Sequence, residues 1–433
     1  VGIAKTATRR SLALASLARK LAKEEIKNLF TSREKTLLRL KQAKHLVESL
    51  GQLKGSAMKM GQLLALEARE FLPQEVVAVL DQLQNQASFM DHKQVVEILR
   101  EELKENFKHL ENISEKPIAA ASIGQVHTAQ VSGKKVAVKV QYPGISETID
   151  SDIKIVKNLA AFFSVVGGKS NVDFNDLFDE VRQVTLNETR YLEEASATKK
   201  FKGLIQGIPS LQVPEVFDDL TTDRVITMSF ENGKTLSECI KSGELDSGTR
   251  LFYGKLFLEL YTRELCQWGF VQTDPNLGNF LLDVKNLKLT LLDFGATRSF
   301  SEDFRRQYAQ LILSGLSLNR KALLEQCVDF KIMDPREGPT AQDAFIDLII
   351  TSMNPFRSPH FDFSNSDYSN EMRKKGAKLV ALIKFSPPPK QIIFLHRKLG
   401  GIFQILRRLE VTLDLRPYIE PHRQILEGKE FKL

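Results

Sequence analysis

The run Phe270–Phe280 (FVQTDPNLGNF), followed by Leu291–Gly295 (LLDFG), constrains the fold of this chain more than any other stretch. It sets Asp274 and Asn279 five residues apart on one loop and puts Asp293 immediately before a Phe-Gly turn. The intervening LKLTLLD reads as a strand, so the order expected is loop, strand, turn. These are the side chains a phosphoryl-transfer site needs. One carboxylate orients the nucleophile near a terminal phosphate, while an Asn carbonyl and a second carboxylate hold Mg²⁺. Each residue alone could be a turn former, as Asp-Pro and Gly-Asn often are. The joint spacing makes that alternative much weaker.

A second candidate is Lys139 in VAVKV, where strand alternation puts Ala137 and Lys139 on one face. A lysine inside an apolar strand needs an anionic partner, and a phosphate or a helix carboxylate would serve. The alternative is a solvent-facing lysine on an edge strand. The carboxylate is expected from ETRYLEEA, with Glu188 as the candidate and Glu180, Glu193 and Glu194 as competitors that spacing does not separate. The segment that would cover the phosphates is Ala119-Ala120-Ala121-Ser122-Ile123-Gly124 rather than a Gly-rich stretch. Alanine keeps φ negative and holds backbone amides further from a phosphate than glycine can, so the cover is expected to be stiffer. An ordinary small-residue strand is the other reading.

Helical spacing dominates the first hundred residues. Leu14, Leu17 and Leu21 share a face, with Arg19, Lys20, Lys23 and Lys27 toward the other sides. Further helices are expected at Ser56–Arg69, Gln74–Gln84 and Asp91–Asn106. Strands follow at Ile118–Ser122, Gly124–Val131 and Lys135–Gln141, the last two joined by a Ser132-Gly133 turn. Helices are expected from Ile145 to about Val166 and over Asp176–Lys200, then strands at Val213–Asp218 and Arg224–Phe230. From Leu236 the chain reads as helical apart from the loop, strand and turn described above. Ser358–Ser369 reads as a polar, aromatic loop and Ser386–Pro389 as a rigid break.

The net charge of +7 is unevenly spread: residues 1–54 hold 13 Lys and Arg against 4 Glu, a net of +9, leaving −2 for the remainder. A basic arm on a near-neutral body points to an anionic membrane surface in preference to nucleic acid. A solvated helical face or a homodimer contact are the alternatives. The three cysteines, Cys239, Cys266 and Cys327, are too scattered for a metal motif or a disulfide framework, which points to a reducing compartment. The longest apolar run, Leu159–Val166, is too short to span a bilayer. The chain opens with Val, so its lack of a targeting signal carries little weight.

Taken together, AAASIGQV, VAVKVQYPG, ETRYLEEA, QTDPNLGNF and LLDFGATR, preceded by KMGQ, resemble the UbiB/ADCK family of atypical kinases. The wording of QTDP and DFGATR resembles the coenzyme Q-biosynthesis branch of mitochondria and many bacteria. The resemblance runs from about Lys54 to the C-terminal helices. It implies an α+β, protein kinase-like two-lobed fold with an N-terminal all-helical extension bearing a Lys-x-Gly-Gln motif. The corresponding domains are residues 1–112, 113–232 and 233–433. Lys59, Gly61 and Gln62 match that motif and would occupy the region where a protein substrate docks. Ala119, Ala120, Ala121 and Ser122 match the cover, Lys139 the nucleotide lysine and Glu188 the helix glutamate. Met228 and Phe230 are assigned to the nucleotide as well, and Glu194 matches a second acid expected to pair with Lys59. Asp274 takes the catalytic position, Asn279 and Asp293 the metal positions.

The resemblance further implies ATP (or ADP) with Mg²⁺, a lipid or isoprenoid-quinone precursor as partner, and an association with quinone-biosynthesis proteins. The location implied is peripheral, on the cytoplasmic side of a bacterial inner membrane or the matrix side of the mitochondrial one. A kinase acting on a protein or small molecule, and a nucleotide-gated binding scaffold, are the alternative functions. Arg190 stands where many members have an acid, and the chain ends at EGKEFKL without the transmembrane helices of some members. DFGATRSF leads on without an Ala-Pro-Glu motif, which argues against a general protein kinase.

Overall fold

The computed structural model describes residues 89–121, 123–146, 149–150, 182, 186, 188–385 and 390–432. The expected helices before residue 89, with Lys59, Gly61, Gln62 and the basic arm, lie outside the described residues, as do Ser122, Glu180, Ser386–Pro389, most of the 145–166 helix and the earlier part of the 176–200 helix. The chain divides into two units, Val1–Ser196 with Glu215–Phe230, and Ala197–Pro214 with Glu231–Leu433.

The first unit is built on a four-stranded antiparallel sheet in the order Ala119–Ala121, Gly124–Val131, Lys134–Gln141, Val225–Ser229. Its patterning follows the two-residue period of a strand. Val136, Val138 and Val140 are wholly buried on one face, beneath Val95, Ile98 and Leu99 of the helix His92–Leu103. Ser132 and Gly133 both take positive φ, 50° and 76°, the geometry that a tight hairpin between right-twisted strands requires. Asp91 caps the helix by accepting from the Lys93 amide. That helix ends at Leu103 rather than near Asn106, because Lys104 turns to φ 49° and a 3₁₀ turn, Lys104–His109, follows.

The strand expected at Val213–Asp218 is displaced. Leu211–Gln212 forms the short strand, and only an isolated bridge between Val216 and Met228 remains further along. Pro214, which has no amide to donate, separates the Leu211–Gln212 strand, paired with Lys288–Leu291, from that bridge.

The second unit holds a sheet in the order Leu211–Gln212, Lys288–Leu291, Phe280–Asp283, Lys234–Thr235, with helices around a large aromatic core. Phe257 and Phe280 meet edge to face at 5.2 Å, and Phe201 lies 4.9 Å from Phe294. Two further strand pairs join Phe270–Gln272 to Thr297–Ser299 and Phe361–Asp362 to Thr412–Leu413. The last pair corrects the loop expected at Ser358–Ser369. Asn365 instead caps a helix, Ser366–Leu382, and Phe361, Phe363, Tyr368 and Phe403 pack together at centroid distances of 4.9–5.9 Å. The polar residues there are caps rather than a loop, and the aromatics find partners far away in sequence. Among the described residues no helix is long and apolar enough to cross a membrane.

His422, on the helix Glu420–Glu427, is buried with its Nδ1 3.6 Å from Cys266 Sγ. Burial pushes the imidazole down to about 4 and the thiol up to about 12, so both are neutral and the pair is not a nucleophile. The unfolded chain takes up a proton near pH 6.5 that folded His422 refuses until about pH 4. Stability present above pH 6.5 should therefore fall as the pH drops through this window, by up to about 3 kcal/mol from this residue. Urea unfolding at pH 7 and pH 4.5 should show a smaller acid loss in His422→Gln than in the wild type; equal losses would contradict the assignment.

Candidate active site

In the first unit, the strand Lys134–Gln141 presents Lys139 on the face opposite its buried valines. Lys139 Nζ donates to both carboxylate oxygens of Glu194 at 3.0 and 2.9 Å, with the side chains 12 % and 3 % exposed. The Tyr191 ring, one turn earlier on the helix Tyr191–Leu204, lies 5.0 Å from the same ammonium. The sequence reading gave this pairing to Glu188 and set Glu194 beside Lys59. Glu194, one of the competitors for that pairing, is bonded to Lys139. Thr189 and Arg190 interrupt the helical backbone after the half-buried Glu188, and the helix that restarts at Tyr191 turns Glu194 inward. Glu193, the neighbouring competitor, faces solvent and pairs with Arg190.

The Ala-rich strand Ala119–Ala121 folds back on Gly124–Val126, with Ala121 opposite Gly124. Gly124 in turn pairs with Gln141 at the end of the Lys139 strand. A Cβ at Gly124 would stand 2.3 Å from the Val140 carbonyl oxygen, so only glycine permits this approach. The single glycine of the cover thus serves the sheet. Met228 sits opposite Ala137 and Ile226 opposite Lys139, which places Met228 on the lysine's face. Phe230, at the end of that strand, carries Lys135 Nζ 3.7 Å over its ring.

In the second unit the candidate catalytic-loop residues are assembled by backbone pairing. Phe270, Val271 and Gln272 pair with Ser299, Arg298 and Thr297, so residues before Asp274 run beside residues after the Asp-Phe-Gly turn. Thr273 donates from both its amide and its hydroxyl to the Ala296 carbonyl, at 3.2 and 2.6 Å. On the other side of the loop, the Leu292 amide donates to the Asn279 carbonyl at 2.9 Å, which sets the residue before Asp293 against Asn279. Asn279 Nδ2 donates to Asp274 Oδ2 at 2.9 Å. An amide facing a carboxylate must present its nitrogen, which leaves the Asn279 side-chain carbonyl as the atom suited to a cation. Asp293 Oδ1 accepts from the Gly295 amide at 3.0 Å, and Phe294 between them is 1 % exposed. The turn is therefore pinned by a hydrogen bond at its start and a buried ring at its centre.

Several residues at this site have no sequence signal that singled them out. Arg397, on the helix Lys390–Leu409, places Nη2 3.3 Å from Asp274 Oδ1. Lys398 and Glu264 form a buried ion pair next to Gln272. A lysine at a buried position of an amphipathic helix is the only cue, visible in FLHRKLGG once the helix face is known. Among the described residues no three or more His, Cys, Asp or Glu side chains are grouped to hold a metal. Mg²⁺ needs only one or two protein oxygens, its shell being completed by phosphates and water. The Asn279 carbonyl and the Asp293 carboxylate would supply oxygens of that type.

Comparison with known proteins agrees with this architecture. A family model described as the ABC1 atypical kinase-like domain matches residues 82–327. "Atypical kinase COQ8, mitochondrial" of Saccharomyces cerevisiae is 34% identical over 373 residues, covering 85% of this chain and 73% of the relative. "Atypical kinase COQ8B, mitochondrial" of Danio rerio is also 34% identical, with 86% of this chain and 60% of the relative covered. The erythromycin complex of Rv3197 from Mycobacterium tuberculosis shares the fold, with a TM-score of 0.62 at 24% identity over 90% of this chain and 98% of that one. The expected mixed helix-and-sheet, kinase-like fold is thus the observed one, and the chain belongs to the ABC1 atypical kinase-like family, the UbiB/ADCK group of atypical kinases.

Proposed function

We propose that this atypical kinase binds ATP with Mg²⁺ and transfers or hydrolyses the terminal phosphate in support of isoprenoid-quinone biosynthesis at a membrane surface. The observation that carries the reading is the tie between Asp274 and Asn279 at 2.9 Å, with Asn279 bonded in turn to Leu292, the residue before Asp293. In this proposal Lys139, oriented by Glu194, takes the nucleotide phosphates, with Glu188 as a further acid and Met228 and Phe230 toward the base. Bound at Asn279 and Asp293, Mg²⁺ would neutralise charge on the phosphates. Asp274 orients the acceptor hydroxyl or a water, and Arg397 beside it supplies positive charge. The stiff Ala-rich cover and the missing Ala-Pro-Glu motif favour a small acceptor or water over a peptide. Lys59, Gly61 and Gln62 are proposed to fill the peptide-docking region. The yeast and zebrafish relatives have "mitochondrial" in their names, which supports a mitochondrial location in a eukaryote; the matrix side of the inner membrane is the proposed place within it.

Phosphate release from ATP with Mg²⁺ should fall by at least about 100-fold in Asp293→Asn and in Asp274→Asn. Unchanged turnover in both would overturn the assignment. Glu194→Gln removes one counter-charge from Lys139 and should weaken nucleotide binding by about tenfold, read by titration of a fluorescent ATP analogue. Transfer of labelled γ-phosphate to a lipid-extract acceptor, instead of its release, would make the activity a kinase rather than an ATPase. Vesicles containing anionic lipid should stimulate turnover, and deletion of residues 1–30 should abolish that stimulation; an equal response after deletion would leave the arm without a membrane role.

A further inference from the structure

Glu264 lies in the π-helical turn Arg263–Trp268 that extends the helix Ser247–Thr262. Such turns carry an extra residue and re-aim side chains. Here Glu264 is fully buried, and its Oε1 accepts from the Gln272 amide at 3.1 Å. Lys398 Nζ stands 3.1 Å from Glu264 Oε2 and donates to Gln272 Oε1 at 3.0 Å. Gln272 Nε2 then donates to the backbone carbonyl of Asp274 at 2.8 Å. Glu264, Lys398 and Gln272 are 0 %, 1 % and 1 % exposed. Burial raises the Glu264 carboxyl, and Lys398 opposes this.

An ion pair this deep is a poor source of stability, because removing both charges from water cancels most of their attraction. Apolar residues of similar size would hold the unit together as well. What they would not supply is the directed series of bonds that ends on the main chain of the catalytic loop. The helix Lys390–Leu409 strengthens the case. Along one face, Phe394 lies 3.5 Å under the Arg298 guanidinium of the strand after the Asp-Phe-Gly turn. Arg397 reaches Asp274, and a Cβ at Gly401 would fall 1.9 Å from Pro275 Cβ. Positions 394, 397, 398 and 401 follow helical spacing and touch the loop from both of its strands.

We propose that Lys398 is a positioning residue for the reaction: with Glu264 and Gln272 it forms a buried strut that sets the place of Asp274. The proposal rests on the phosphoryl-transfer reading above. Lys398 acts through Gln272 and touches neither nucleotide nor acceptor. Its loss should therefore lower kcat and leave nucleotide binding alone.

The test uses the full chain with two variants. Glu264→Met with Lys398→Met removes both charges together, so no buried charge is left unpaired. Gln272→Met cuts the strut at its loop end and leaves the ion pair intact, which keeps the experiment informative if the first variant folds poorly. In each, kcat for Mg·ATP turnover per bound nucleotide should fall by about 30-fold, with the KM for ATP within about twofold of wild type. Combining all three substitutions should lower kcat no further, as expected for parts of one unit. Amide exchange in the segment 271–280 should rise by about tenfold, a readout independent of turnover. A folded variant with wild-type kcat and wild-type exchange would overturn the proposal and make the pair merely structural. Wild-type protein that binds but never turns over ATP, with exchange still raised in both variants, would instead overturn the phosphoryl-transfer reading.

Discussion

The pairing of Phe270–Gln272 with Thr297–Ser299 is the constraint on which the candidate site depends. It is only three residues long. Yet it brings the chain before Asp274 against the chain after Gly295, and Thr273 doubles the tie at Ala296. The Leu292 amide closes the other side on Asn279. With both ends of the loop and both ends of the turn fastened, three short polar side chains have little freedom left. Backbone hydrogen bonds thus do the work of positioning, and the side chains need only the right chemistry.

Charge burial has the second organising role. Lys139 with Glu194 in the first unit, and Lys398 with Glu264 in the second, are both ammonium–carboxylate pairs largely withdrawn from water. Breaking such a pair from one side costs about 3–5 kcal/mol, so each partner constrains the other strongly. The two pairs differ in accessibility. Lys139 keeps some exposure, as a group that must reach a phosphate would, whereas Lys398 is sealed. Exposure therefore separates a group suited to contact a ligand from one suited to hold a loop.

How legible this was in the sequence depended on the distance between partners along the chain. The hairpin of Gly124–Val131 with Lys134–Gln141 was readable, because alternation and a Ser-Gly turn are local and the register follows from them. The face of Lys139 was readable for the same reason. Its pairing with Glu194 was not, since a break at Thr189–Arg190 resets the helical phase, and each residue of phase error swings a side chain by about 100°. The segment Ser358–Ser369 was misread as a loop because its aromatic residues pack on Phe403, well outside any local window.

By itself the sequence determined the chemistry available: Asp274, Asn279 and Asp293 at a spacing that a loop, a two-stranded hairpin and a turn carry into one part of the second unit. That follows from covalent connectivity over a few residues. Only the tertiary structure decided which groups surround these residues. Arg397 lies 123 residues from Asp274, and Lys398 lies 134 residues from Glu264. Contacts at such separations are set by how helices pack and by where a glycine such as Gly401 lets two segments touch. No periodicity or short motif encodes them, because their geometry exists only once the core has closed.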